Sequence, residues 1–301
     1  MNKNLFITGG TGQDGQILTT LLGEKKINLI ILHKNNKKQI KKSVKFIRNN
    51  LLNKKKIDTL FKKIKPDIIL HLAANNPSYK DKDSKIFFKE NFLATKNIFQ
   101  ATFESNKKAK FIFCSSSQIF KKKYGIVNEK SMLFSKTNYA KFRIKSDLMM
   151  LKYKKKEKIY YTNAILFNHD SIFRNKKFIL PRIINAIVKK DYTFLSDIIK
   201  SNIVADFSHA EDICQGLCKI IFSRENFDKL ILSSGKSTSI NNIIRHVLKK
   251  NKIKLDINLS QILNKKTLIG SNKIARKKLG WSPKKNIYVA ADEIYRFTIN
   301  K

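Results

Sequence analysis

The sequence predicts an α/β protein built on a doubly wound parallel sheet, with a smaller lobe interleaved toward its C-terminal end. Three observations predict it. Apolar runs that do not alternate with polar residues recur through about the first 120 positions, the pattern of strands buried on both faces. Amphipathic stretches separate these runs, which gives the strand–helix repetition of a parallel sheet. The first run leads directly into a glycine turn that opens a helix, TGGTGQDG at 8–15.

The elements follow in order. NLFIT at 4–8 is the first strand, and Asp14 to Gly23 the first helix. INLIIL at 27–32 and VKFI at 44–47 are the second and third strands, followed by a helix at 56–64. DIILHLA at 67–73, a long helix at 86–105 and KFIFCSS at 110–116 continue the alternation. A helix from Tyr139 to about Tyr153 and the strand YYTNAILF at 160–167 extend it. Beyond position 168 the order loosens. A helix at 179–189 precedes a loop, a helix at 210–222 and the short strand KLILS. Helices at 240–250, 272–279 and 287–298 complete the chain. The expected division is 1–167 for the dinucleotide-binding (Rossmann) part and 168–301 for a mainly substrate-binding lobe, with some segments returning to the sheet.

The 301 residues are 42 % hydrophobic, with ten Gly and four Pro, a globular composition and not a disordered one. No apolar run approaches the roughly 20 residues that cross a membrane. The opening MNKNLFITGG lacks the apolar core and cleavage site of a signal peptide. A cytoplasmic protein is expected, and its odd count of three cysteines agrees with a reducing compartment. Cys214 and Cys218 share a helix face but have no further ligands in the pattern, so they and Cys114 read as core, and no metal site is expected. A net charge of +41 raises the question of nucleic acid. The lysines fill nearly every surface stretch, and no nucleic-acid-binding motif accompanies them, so specific binding is not expected.

Gly9, Gly12 and Gly15 stand in the spacing Gly-x-x-Gly-x-x-Gly at the strand–helix junction. Glycines there let the backbone approach a pyrophosphate, which then lies at the positive end of the helix. The second strand ends at His33, followed by Lys34, where an enzyme selective for NAD usually carries a carboxylate. A cation or imidazole there favours NADP, with NAD still open.

Further strings match one family in order along nearly the whole chain. TGGTGQDG carries Gln13 and Asp14 inside the glycine pattern, and LHLAAN stands at 70–75. NEKSMLFSKTNYA at 128–140, ILFNHDS at 165–171, ADFSHAEDI at 205–213 and SNKIARKKLGWSP at 271–283 follow. Together they resemble the GDP-mannose 4,6-dehydratases of the extended short-chain dehydrogenase/reductase superfamily. The resemblance implies that Gly9, Thr11, Gly12, Gln13, Asp14 and Gly15 hold the pyrophosphate and nearby ribose. It sets Asn50 and Leu51 by the adenine, and Leu72, Ala73 and Ala74 along the cofactor. His169 and Arg174 fall where the family makes further cofactor contacts. Asn168, Arg182 and the loop near His209 would face the sugar nucleotide.

By the same resemblance Tyr139 is the general base that takes the sugar 4-hydroxyl proton while hydride passes from C4 to the nicotinamide. Free tyrosine has a pKa near ~10, so a neighbouring cation must lower it. The family uses a lysine one helical turn on; here that position is Arg143. Charge survives, but a planar guanidinium does not replace an ammonium in holding ribose hydroxyls. CSSSQIF at 114–120 matches the motif in which a Ser/Thr is followed two residues later by glutamate. Ser116 can hydrogen-bond the sugar hydroxyl and the tyrosine. The glutamate position is Gln118, whose amide cannot act as the base that removes the C5 proton.

Three readings follow. One is a dehydratase that uses a water or another carboxylate. Another is a C4 oxidase, reductase or epimerase on a related nucleotide sugar, which Gln118 suits. The third is a catalytically weakened NADP-binding partner or regulator. Arg182, and Ala205 where relatives carry arginine, leave the nucleotide open, with a GDP-linked sugar implied by the resemblance. The resemblance also implies pairing of copies through the helices at 86–105 and 139–153. The segment after the second strand is shorter than in typical tetrameric dehydratases, so the resemblance favours a homodimer over a tetramer.

Overall fold

The computed structural model describes residues 2–33, 44–75, 84–255 and 265–300. The chain runs β1 (Lys3–Thr8), α1 (Gln13–Leu22), β2 (Ile27–His33), β3 (Lys45–Arg48), α2 (Lys54–Ile64), β4 (Ile68–His71), α3 (Lys85–Ser105) and β5 (Lys110–Ser116). A single 3₁₀ turn at Ser117–Ile119 leads to β6 (Gly125–Val127), α4 (Asn138–Glu157), β7 (Tyr160–Leu166) and β8 (Asn168–Asp170). Then come α5 (Ile179–Lys189), α6 (Tyr192–Ser201), β9 (Val204–His209), α7 (Ala210–Phe222), β10 (Lys229–Leu232) and β11 (Ser237–Ser239). The last are α8 (Ile240–Lys250), β12 (Leu268–Gly270), α9 (Lys273–Leu279) and α10 (Ile287–Ile299).

Among the described residues the main sheet has seven parallel strands in the order β3-β2-β1-β4-β5-β7-β10. The order reverses between β1 and β4, which opens a crevice at the carboxyl ends of these strands. Successive residues of one strand feed opposite layers. Leu5 and Ile7 pack with Leu18 and Leu217 from α1 and α7 on one face. Phe6 packs with Phe61, Phe99 and Phe142 from α2, α3 and α4 on the other. Burial on both sides is why the strands read as unbroken apolar runs.

The lobe has its own core, in which Leu180, Ile183, Ile244, Val247 and Ile294 bring α5, α8 and α10 together. It is not separate from the sheet. β10 returns as an edge strand beside β7, and α7 packs against α1.

Several elements lie where the sequence predicts only loop. α6 follows a chain reversal at Lys190, which takes a left-handed conformation (φ 55°) without the glycine or proline that would signal it. β9 pairs with β8 and β11, and β6 pairs with β12. The three-residue strands β6, β8, β11 and β12 are too short to show a period, and their partners are distant in sequence. Polar β9 is held by Asp206, whose carboxylate accepts from the backbone N–H groups of Ser234, Gly235 and Gly270 at 2.9–3.1 Å. Among the described residues no helix is long and apolar enough to cross a membrane. Cys114 and Cys214 are buried and Cys218 is half-buried.

Candidate active site

A cavity of about 1160 Å³ opens at the carboxyl ends of β1, β4, β5 and β7, where the strand order reverses. The glycine turn forms one wall. Gly9 has φ +70°, and a Cβ there would stand 2.9 Å from the backbone of Ala73. A Cβ on Gly15 would lie 2.2 Å from the Cα of Gly10, so the turn and α1 close only without side chains. Gly12 caps α1 with no side-chain hydrogen bond, which leaves the helix N-terminus to an anion. This cradle fits a dinucleotide pyrophosphate. Thr11, Leu72, Ala73 and Ala74 continue the wall.

Gln13 and Asp14 also line the cavity, but their side chains reach across to the segment after β7. The Asp14 carboxylate lies 3.1 Å from His169 Nε2, and His169 Nδ1 lies 2.6 Å from the Phe167 carbonyl. Both ring nitrogens therefore face acceptors, which the imidazolium satisfies as a double donor. Burial opposes the charge on His169, yet the Asp14 carboxylate leaves its pKa above the ordinary value. Burial likewise opposes ionisation of Asp14, but the His169 charge and hydrogen bond hold its pKa low. The Gln13 amide donates to the His169 carbonyl at 3.2 Å and accepts from Ser171 at 3.1 Å. Arg174 forms an ion pair with buried Asp170 at 3.3 Å and covers the Phe178 ring.

Tyr139 and Arg143 project from the first turns of α4, which Thr137 caps by accepting from Ala140 N–H. Arg143 Nη2 donates to Tyr139 Oη at 2.7 Å, and Nη1 donates to the Cys114 carbonyl. The guanidinium lies 4.7 Å from the Tyr139 ring centroid and is almost wholly buried. Behind it His71 is hydrogen-bonded to Thr8 and Thr95 and stacks on Phe113. Burial, reinforced by the Arg143 charge, pushes the His71 pKa down to about 3, so this imidazole is neutral.

Ser116 ends β5 on the cavity wall, and its Oγ accepts from Gln118 N–H at 3.3 Å. Gln118 is exposed in the 3₁₀ turn and also lines the cavity. Asn168 and Arg182 stand on the lobe side of the same cavity, with Arg182 over the Phe194 ring.

Other expected site residues are placed elsewhere. His209 is off the cavity wall: it caps α7 by accepting from Glu211 N–H, and its Nε2 lies 3.0 Å from Glu293. Gly15 packs inside the turn, while His33 ends β2, and Asn50 and Leu51 follow β3, all outside the cavity lining. Lys34 lies outside the described residues. Sequence reasoning missed Glu90, a lining carboxylate on α3 that accepts from the Asn75 amide at 3.0 Å. It carries no motif, and only the return of α3 beside β4 brings it to the wall. Glu129 is structural, accepting from Ile231 N–H at 3.1 Å. Among the described residues no His, Cys, Asp and Glu side chains gather in a metal-binding group.

The profile of the family described as GDP-mannose 4,6 dehydratase matches residues 6–294. A GDP-mannose 4,6 dehydratase 2 of Caenorhabditis elegans is 24 % identical over 94 % of this chain and 85 % of its own length. A GDP-6-deoxy-D-talose 4-dehydrogenase of Aggregatibacter actinomycetemcomitans is 25 % identical over 80 % of this chain and 78 % of its own. Among solved structures, a UDP-glucose 4-epimerase of Thermotoga maritima with UDP-glucose superposes with a TM-score of 0.84 at 15 % identity, covering 99 % of this chain and 100 % of that one.

Proposed function

The chain belongs to the GDP-mannose 4,6 dehydratase family, and from that premise we propose that it oxidises or reduces C4 of a nucleotide-linked sugar with NADP. A GDP-linked sugar is the favoured substrate, since the two curated relatives above are named for GDP sugars. The observation that carries the reading is the meeting of Ser116, Tyr139 and Arg143 at one cavity wall, with an amide at Gln118. Tyr139 Oη takes or returns the proton of the 4-hydroxyl. Arg143 donates to that oxygen and stabilises the phenolate, while Ser116 orients the hydroxyl. Bound NADP supplies the hydride acceptor or donor. Gln118 hydrogen-bonds but cannot remove the C5 proton, so the reaction stops at the change between hydroxyl and ketone.

Glu90 favours a second reading, dehydration. Asp14, the other carboxylate named on the wall, is held by His169, whereas Glu90 has one oxygen held by the Asn75 amide and is the carboxylate to which this reading assigns the acid/base role. A homodimer through α3 and α4 belongs to the proposal, supported by the exposed Leu93, Leu148 and Tyr153 on those helices. Incubation with NADP or NADPH and a panel of GDP-, UDP- and dTDP-sugars, with products read by mass, tests the function. Gain or loss of a hydrogen pair supports oxidoreduction. Loss of one water supports the second reading, and no product with any sugar overturns both.

A further inference from the structure

We infer that Arg48, at the carboxyl end of β3, binds the 2′-phosphate that distinguishes NADP from NAD, an inference that rests on the NADP reading above. β2 and β3 pair in parallel with His33 opposite Arg48, so the two side chains leave the same face of the sheet. The ring of His33 lies 6.1 Å from that of Phe46, two residues before Arg48, which fixes the shared face. Phe46 packs with the core beneath α1. The glycine turn covers this same face, where Gly10 sits so close to Ile31 that a Cβ would lie 2.4 Å from its Cγ2. Ile31 is two residues before His33 on β2. The pyrophosphate cradle, His33 and Arg48 thus line one side of the sheet, in order toward its β3 edge.

In a doubly wound fold the adenosine ribose of a dinucleotide lies at the end of the second strand, beside the glycine turn. Arg48 is exposed, and its side chain makes no hydrogen bond or ion pair with any described residue. A guanidinium with no carboxylate partner among the described residues, next to an imidazole, suits a phosphate dianion, which it can bind through two parallel N–H donors.

The test measures NADP and NAD binding to the full chain by calorimetry for the parent, Arg48→Ala and Arg48→Glu. Arg48→Ala is expected to weaken NADP about tenfold and leave NAD within about twofold, and Arg48→Glu to remove or reverse the preference. The Arg48→Ala effect should shrink at high salt, as a phosphate contact does. A parent that prefers NADP, with the preference kept in both variants, overturns the role of Arg48 and leaves the NADP reading standing. A parent with no preference overturns both. Unchanged melting temperatures identify the effect as local to the ligand.

Discussion

The guanidinium of Arg143 is fastened at both ends, with Nη2 donating to Tyr139 Oη at 2.7 Å and Nη1 donating to the Cys114 carbonyl. The cation beside the Tyr139 hydroxyl is therefore tied to β5 as well as to α4. This relationship, and the amide at Gln118, shape the predictions.

Tyr139→Phe removes the hydroxyl proposed as general base and leaves the ring in its packing against Phe142. Turnover is expected to fall on the order of a hundred- to ten-thousandfold, with cofactor affinity within a few fold. Steady-state kinetics and calorimetry check this, and an unchanged rate removes Tyr139 from the mechanism.

Arg143→Ala leaves the Cys114 carbonyl without its donor in a buried site. A stability loss of about 1–3 kcal/mol is expected, together with loss of turnover. Arg143→Lys keeps the charge and is expected to recover part of the activity. Denaturant titration and kinetics read the two effects separately, and an Ala variant as stable as the parent contradicts the first.

Gln118→Glu is nearly isosteric at an exposed position, so it is expected to fold normally. It places a carboxylate where the family resemblance puts the acid/base and should create or raise loss of water from the sugar. Deuterium followed from C4 to C6 gives the readout. If the parent already eliminates water, Glu90→Gln should abolish that step while C4 oxidation persists. Elimination that survives Glu90→Gln removes Glu90 from that step.

The Asp14–His169 pair predicts a pH dependence. His169 has a folded pKa above its unfolded value, so its contribution is full below the unfolded pKa and is lost as pH rises through the folded one. Asp14 has a lowered pKa, so its contribution is present above the unfolded value and is lost as pH falls through the folded one. The pair is therefore most stabilising between the ordinary carboxylate and imidazole ranges. His169→Gln should lower the melting temperature most in that window and less at alkaline pH. An equal loss at all pH values would show that the ion pair contributes nothing.

The sequence by itself determined the strands of the main sheet, the glycine cradle and part of the set of residues that meet at the cavity wall. Unbroken apolar runs such as INLIIL report burial on both faces, and the Gly9–Gly15 turn reports close backbone approach, because both constraints act locally along the chain. Tyr139 and Arg143, one helical turn apart, were legible through the resemblance of the string at 128–140 to the family. The tertiary structure alone decided what their side chains touch. The Cys114 carbonyl that receives Arg143 comes from another element, as does the His169 that holds Asp14. Glu90 reaches the cavity, and His209 turns to Glu293 instead, because of how α3 and α10 pack. Such contacts join residues tens to hundreds of positions apart, and they depend on the orientation of whole elements, which no local pattern encodes.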